Sequence, residues 1–123
     1  MKLRITSNSL RLRVSKSDLA RLMQSGRIEE TIQFTAHPEA KLSYALEQSE
    51  TEPKVSILYR PQSVTVSIPA SAARDWASGS GVGIYGDADV ADSKLAVIVE
   101  KDFACLDQSD RDNIDNFPNP QKP

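Results

Sequence analysis

The apolar skeleton of this 123-residue chain repeats at a spacing of 54 residues. With that shift Leu3 falls on Ile57 and Ser9 on Ser63, and Leu10, Leu12 and Val14 fall on Val64, Val66 and Ile68. Ser17 meets Ser71, Leu22 meets Trp76, and Ile28 meets Val82. A one-residue slip then carries the run 41–47 onto 94–100. Identities are few, but residue classes match along both units. Such self-similarity marks one supersecondary unit made twice, with the copies burying each other's apolar faces.

Local patterns agree with that register. Leu10, Leu12 and Val14 alternate with Arg11 and Arg13, the period-two signature of a half-buried strand, and Val64, Val66 and Ile68 alternate with Thr65 and Ser67. Ser15 and Asp18 have capping-box spacing, with Asp in place of the usual Glu or Gln. Leu19, Leu22 and Met23 then form the apolar stripe of a short helix, and Gly26 suits a left-handed exit. In the second unit Pro69 sits at the helix start, Ala73, Trp76 and Ala77 repeat the stripe, and Gly79 or Gly81 ends it. Trp76, matched to Leu22, is read as core. Further strands are expected at 28–34, 41–47, 82–86 and 94–100, joined through His37-Pro38 and Asp87-Ala88-Asp89. The polar stretch 48–53 reads as the linker between units.

Each unit is too small to hold a core alone. The expected fold is therefore mainly β (α+β): a pseudo-two-fold β-barrel from two ββαββ repeats, each with one short helix. One domain should span 1–103, with repeats at 1–50 and 55–103. Residues 104–123 form an acidic, proline-containing tail.

Catalytic and metal chemistry find little support. One cysteine, Cys105, and one histidine, His37, exclude an internal disulfide and a zinc cage of Cys and His ligands within the chain. His37 precedes a proline in a loop, and no nucleophile elbow accompanies it. Gly79-Ser80-Gly81-Val82-Gly83 lacks the lysine of a phosphate loop and reads as a helix exit. The aspartates at 107, 110, 112 and 115 lack the glycine and closing glutamate of an EF-hand. Cys105, between Ala104 and Leu106, reads as a small core hydrophobe. No catalytic residue, metal or cofactor is expected. No apolar run approaches the ~18–20 residues of a membrane span, and the opening Met1-Lys2-Leu3-Arg4-Ile5 lacks a signal core. The expected setting is cytoplasmic, with no membrane partner.

Charge is the remaining signal. The net charge is −2, but residues 1–16 carry Lys2, Arg4, Arg11, Arg13 and Lys16 with no acid. Lys2 and Arg4 share one face of the first strand, and Arg11 and Arg13 share one face of the second. A hairpin of the two would gather the four into one patch, of the kind that contacts phosphates. The plainer reading is a solvated strand face, or one paired with Glu29 and Glu30.

The second unit, Val64-Thr65-Val66-Ser67-Ile68-Pro69, then a short helix, then Gly81-Val82-Gly83-Ile84-Tyr85 and a last apolar strand, resembles the AbrB/SpoVT-like DNA-binding domain. The first unit follows the same order with Val14-Ser15 in place of Ile-Pro. The resemblance implies two units interleaving hairpins into one barrel, which a single chain with both units could close as a monomer. It also implies DNA contacts from the first two strands and the helix start, on Arg4 and Arg11 and on Arg74. Thr65 and Leu58 depart from the family's basic positions, which weakens the case for symmetric binding. The whole chain, with Glu100-Lys101-Asp102-Phe103 leading to Cys105-Leu106 and a terminal Phe117-Pro118-Asn119-Pro120, also looks like a small bacterial family with no assigned function.

Three functions follow as expectations. The first is a non-catalytic binding module holding DNA through Lys2, Arg4, Arg11, Arg13 and Arg74. The second is a protein-interaction module using the tail and Phe117. The third is an enzyme or small-ligand binder with its site between the repeats.

Overall fold

The computed structural model describes residues 1–104 and 114–120. The elements run β1 (Lys2–Ile5), β2 (Ser9–Val14), α1 (Lys16–Ser25), β3 (Arg27–Gln33), β4 (Lys41–Ser49), β5 (Ser56–Arg60), β6 (Ser63–Pro69), α2 (Ala70–Ser78), β7 (Gly83–Val90) and β8 (Ser93–Lys101). The fold is mainly β, with two short helices and two four-stranded sheets, ordered β1-β2-β8-β7 and β3-β4-β6-β5. Each sheet takes one hairpin from each repeat. The hairpins join through parallel central pairs, β2 with β8 and β4 with β6. Neither repeat therefore completes a sheet by itself. No helix among the described residues is long and apolar enough to cross a membrane.

The pairing registers reproduce the repeat. Ser9 lies beside Ala96 in one central pair, and Ser63 beside Ser43 in the other. The offset is 54 from β2 to β6 and 53 from β4 to β8, as the skeleton predicts. Between β3 and β7 the offset is 56, because Ile28 lies opposite Leu46 whereas Ile84 lies opposite Val99. The partner of Ile28 is thus Ile84 and not Val82. Ile28 is buried and Ile84 packs on the core, whereas Val82 is exposed. The physical reason is the longer exit from α2. A single residue, Gly26, separates α1 from β3, but four separate α2 from β7.

Helix ends differ in the same way. Ser15 and Asp18 close a full capping box: the Ser15 hydroxyl accepts from the Asp18 N–H at 3.2 Å, and the Asp18 carboxylate accepts from the Ser15 N–H at 3.0 Å. A side-chain cap of this kind is worth ~1 kcal/mol. Pro69 ends β6 and caps α2 with no side-chain acceptor, so it stands one position earlier than the first helical turn the sequence suggested. Gly26 adopts φ +82 and donates to the Leu22 carbonyl at 2.8 Å, the left-handed exit expected. Gly79 ends α2 in extended backbone; there a Cβ would lie 2.9 Å from the Asp75 carbonyl.

The core lies between the sheets and under the helices. Leu12, Val14, Leu22, Leu46, Val66, Ile68, Val97 and Val99 are fully buried. Trp76, the counterpart of Leu22, is buried and donates its indole N–H to the Val82 carbonyl at 3.1 Å. Gln48 belongs to β4 and not to the linker, because its backbone N–H reaches the Gly26 carbonyl and its side chain the Leu22 carbonyl. Lys101 does the same for the second unit. Its N–H reaches Val82 and its ammonium the Gly79 carbonyl, a favourable place for a cation at a helix C-terminus. The segment 87–89 is part of β7. The turn falls instead at Ala91 and Asp92, with Ala91 at φ +48.

The sheets also approach at two seams, related by the same offsets. At one, the Met1 ammonium lies 2.9 Å from both Asp18 and Glu30. At the other, Val55 packs on Gly86, where a Cβ would come within 2.8 Å of the Val55 Cβ. Met1 and Val55 are 54 apart, Glu30 and Gly86 are 56 apart, and the counterpart of Asp18 is Ala72.

Candidate functional site

Register brings four of the predicted basic residues together. On the β1–β2 hairpin Lys2 lies opposite Arg13, and Arg4 opposite Arg11. Leu10, Leu12 and Val14 point into the core, so Arg11 and Arg13 point outward, and their cross-strand partners Lys2 and Arg4 share that face. Lys2, Arg4, Arg11 and Arg13 line one shallow recess with Leu3.

The patch carries its own counter-charges. Glu100, on the neighbouring β8, lies 3.3 Å from the Arg11 Nε and 4.0 Å from the Arg13 Nε. The Arg11 contact is an ion pair without hydrogen-bond alignment. Lys2 pairs with Asp102 at 2.8 Å. Arg4 is exposed and has no ion pair among the described residues. One Glu100 oxygen thus bridges the two β2 arginines, while Lys2 and Arg4 lie opposite them on β1. The expected pairing with Glu29 and Glu30 does not occur: Glu29 bonds Arg27, and Glu30 faces Met1. Arg74 stands apart. It is on α2 and pairs with Glu50 at 3.7 Å, and α2 packs mainly against α1, β4, β6 and β7.

Beyond the arginines the same outer face carries Tyr85. Its hydroxyl donates to Glu100 at 3.3 Å. Burial of the hydroxyl against the sheet, and then the Glu100 carboxylate, raise the Tyr85 pKa above its ordinary value. Sequence reasoning missed this residue, because Tyr85 and Arg11 are distant in the chain and meet only through the β2–β8 pairing.

A second group of ionisable side chains sits at the Met1 seam. Asp18, Arg21 and Glu30 line a recess there with Gln24 and Arg27. Burial pushes the Asp18 carboxyl up, but hydrogen bonds from the Ser15 backbone and the Met1 ammonium outweigh it and hold the carboxyl below its ordinary value. Every charge in this recess that meets Asp18 is already paired with it, so the group reads as a structural clasp.

The tail residues singled out from the sequence fall in two classes. Cys105, read as core, and Asp107, Asp110 and Asp112 lie outside the described residues. Asp115 and Phe117 dock on the chain itself. The Asp115 carboxylate accepts from the Ser17 N–H at 3.1 Å and from the Ser17 hydroxyl, at the start of α1. Phe117 packs against the core and lines one recess with Lys16, Leu19, Ala20, Met23 and Ala77. It exchanges backbone bonds with Asp102 and Ala104 and meets Phe103 edge to face at 6.3 Å. His37 is exposed in the β3–β4 loop, where its Nδ1 accepts from the Glu39 N–H at 3.2 Å.

No curated protein and no solved structure matches the chain. The sequence model of one family matches residues 1–121, and the chain belongs to that family, a family of unknown function (DUF7009).

Proposed function

We propose that this chain is a non-catalytic binding module that holds nucleic acid on its β1–β2 hairpin. One observation carries the reading: pairing register places Lys2, Arg4, Arg11 and Arg13 on one outward face. Cations gathered in this way release counterions from a phosphate backbone, and that term is independent of sequence. Arg74 has no part in it. The interleaved strand orders and the two equivalent seams support a pseudo-two-fold barrel closed within one chain. They also support the kinship with AbrB/SpoVT-like swapped hairpins that the sequence suggests. The β1–β2 hairpin carries four cations and the equivalent β5–β6 hairpin only Arg60, which favours a single nucleic-acid face per chain.

Fluorescence anisotropy with labelled mixed-sequence single strands and duplexes, at low and moderate salt, tests the proposal. Binding should weaken as salt rises, and Arg4→Ala/Arg13→Ala should reduce both the affinity and the salt slope, the slope by about two contacts. Absence of binding to either form at low salt, where the electrostatic contribution is largest, overturns it.

A further inference from the structure

We propose that the outer face of the β1-β2-β8-β7 sheet selects single-stranded nucleic acid, with phosphates on the basic hairpin and an unpaired base stacked on Tyr85. The inference rests on the reading of the hairpin given above and specifies its substrate. Register aligns the two halves of the face. Arg4 lies opposite Arg11, Arg11 beside Ile98, and Ile98 opposite Tyr85, so one row crosses all four strands. Three strand spacings separate the ends of that row, about 14 Å. The adjoining row runs Lys2, Arg13, Glu100 and Gly83.

Tyr85 has the geometry of a fixed platform. It is 58% exposed, so its ring is available. Its hydroxyl reaches sideways to Glu100 and passes over Gly83, where a Cβ would lie 3.2 Å from the hydroxyl oxygen. The ring is therefore laid along the sheet and tethered at its tip, with the glycine making room. An aromatic held in this way loses little freedom on stacking. Ile98 continues the apolar floor toward Arg11.

Charge decides which form of nucleic acid fits. Asp87 and Asp89 occupy the outer positions of β7 beyond Tyr85, with Lys94 opposite Asp89 and 3.8 Å from its carboxylate, so the face grades from basic at β1 to weakly acidic at the far end of β7. A single strand has one phosphate track. It can lay that track along β1 and β2 and turn its bases toward Ile98 and Tyr85. A duplex carries a second phosphate track, which would be driven toward the acidic end, and its bases are already stacked. Sequence-tolerant binding through a cationic groove with aromatic platforms is the usual solution for single strands. The equivalent row of the other sheet reads Leu58, Thr65, Ala45 and Glu29, with neither cation nor aromatic.

The test compares labelled mixed-sequence single strands of about 12 nucleotides with the duplex of the same sequence, by anisotropy at low salt. The full chain, Tyr85→Ala, Tyr85→Phe and Arg4→Ala/Arg13→Ala are each titrated, with circular dichroism confirming the fold. Single strands should bind the full chain about tenfold more tightly than duplex. Tyr85→Ala should lose about that factor on single strands, and Tyr85→Phe should keep most of it. A duplex bound as tightly as the single strand, or a Tyr85→Ala variant equal to the full chain, overturns the inference. If the arginine variant still weakens binding in that case, the hairpin reading stands without it. No binding of either form overturns both.

Discussion

The β1–β2 and β5–β6 hairpins share a register and a core, and they differ on the face turned away from it. Leu3 and Leu12 pair on the buried side of one, and Ile57 and Val66 on that of the other. On the outer side Lys2, Arg4, Arg11 and Arg13 are replaced by Ser56, Leu58, Thr65 and Ser67. A strand sends alternate side chains to opposite faces, so a duplicated strand can keep one face for packing while the other changes its chemistry; on β6 that other face is buried at Thr65 and Ser67. The seams diverge in the same manner. Asp18 and Glu30 clasp an ammonium at one, and Ala72 and Gly86 leave room for Val55 at the other.

The sharpest way to break the comparison is through the core. Leu22→Ala and Trp76→Ala remove counterparts from one shared interior, and each should cost about 2–5 kcal/mol. Urea unfolding measures both. A small loss at either site would mean that the two helices do not serve the same core. The Val55 seam comes next. Gly86→Ala should cost about 1–3 kcal/mol through overpacking, and Val55→Ala added to it should recover part of that loss.

At the other seam the expected effect is a pH dependence. The Asp18 carboxyl titrates below its ordinary value in the folded chain. The folded state thus binds this proton less readily than the unfolded state. The stability it contributes is present above the unfolded carboxylate pKa and is lost as pH falls through the folded one. Asp18→Asn should therefore lower stability at neutral pH and flatten the acid limb of a stability–pH curve. An unchanged acid limb would show that Asp18 is not its source. The smallest expected change is on the β5–β6 hairpin. Leu58 is half exposed, so Ser56→Lys/Leu58→Arg should shift stability by no more than about 0.5 kcal/mol. On the proposed function it should also steepen the salt dependence of binding, by up to about one unit of slope per new phosphate contact. Thr65 is buried and would not accept an arginine so easily.

Much of the fold was legible because it depends on periodicity. Alternation at Leu10, Leu12 and Val14 and the capping pair Ser15 and Asp18 are local signals, and each produced the element it implied. Offsets were legible where strands paired directly, at 54 and 53. The offset of 56 was not, because Val82 and Ile84 have the same residue class and only the length of the α2 exit separates them. The turn at Ala91 was missed for a similar reason. Asp87 and Asp89 resemble turn residues, but here they are the outward positions of a strand. The basic patch could be assembled from sequence alone, since both its strands lie in one hairpin. Its counter-charges and Tyr85 could not, because Glu100, Asp102 and Tyr85 arrive from the far end of the chain.

That arrival has a consequence for how the molecule is made. The β4–β6 pair joins Ser43 to Ser63, but the β2–β8 pair joins Ser9 to Ala96, 87 positions away. Pairings so distant in sequence are slow to form. On a ribosome adding roughly 5–20 residues per second, β2 waits several seconds with one hydrogen-bonding edge unpaired. The strand in waiting is the one with Arg11 and Arg13. Charged side chains on an unpaired strand discourage it from recruiting another chain. The arginines of the candidate site would thus also guard the nascent chain against aggregation until its last strand arrives.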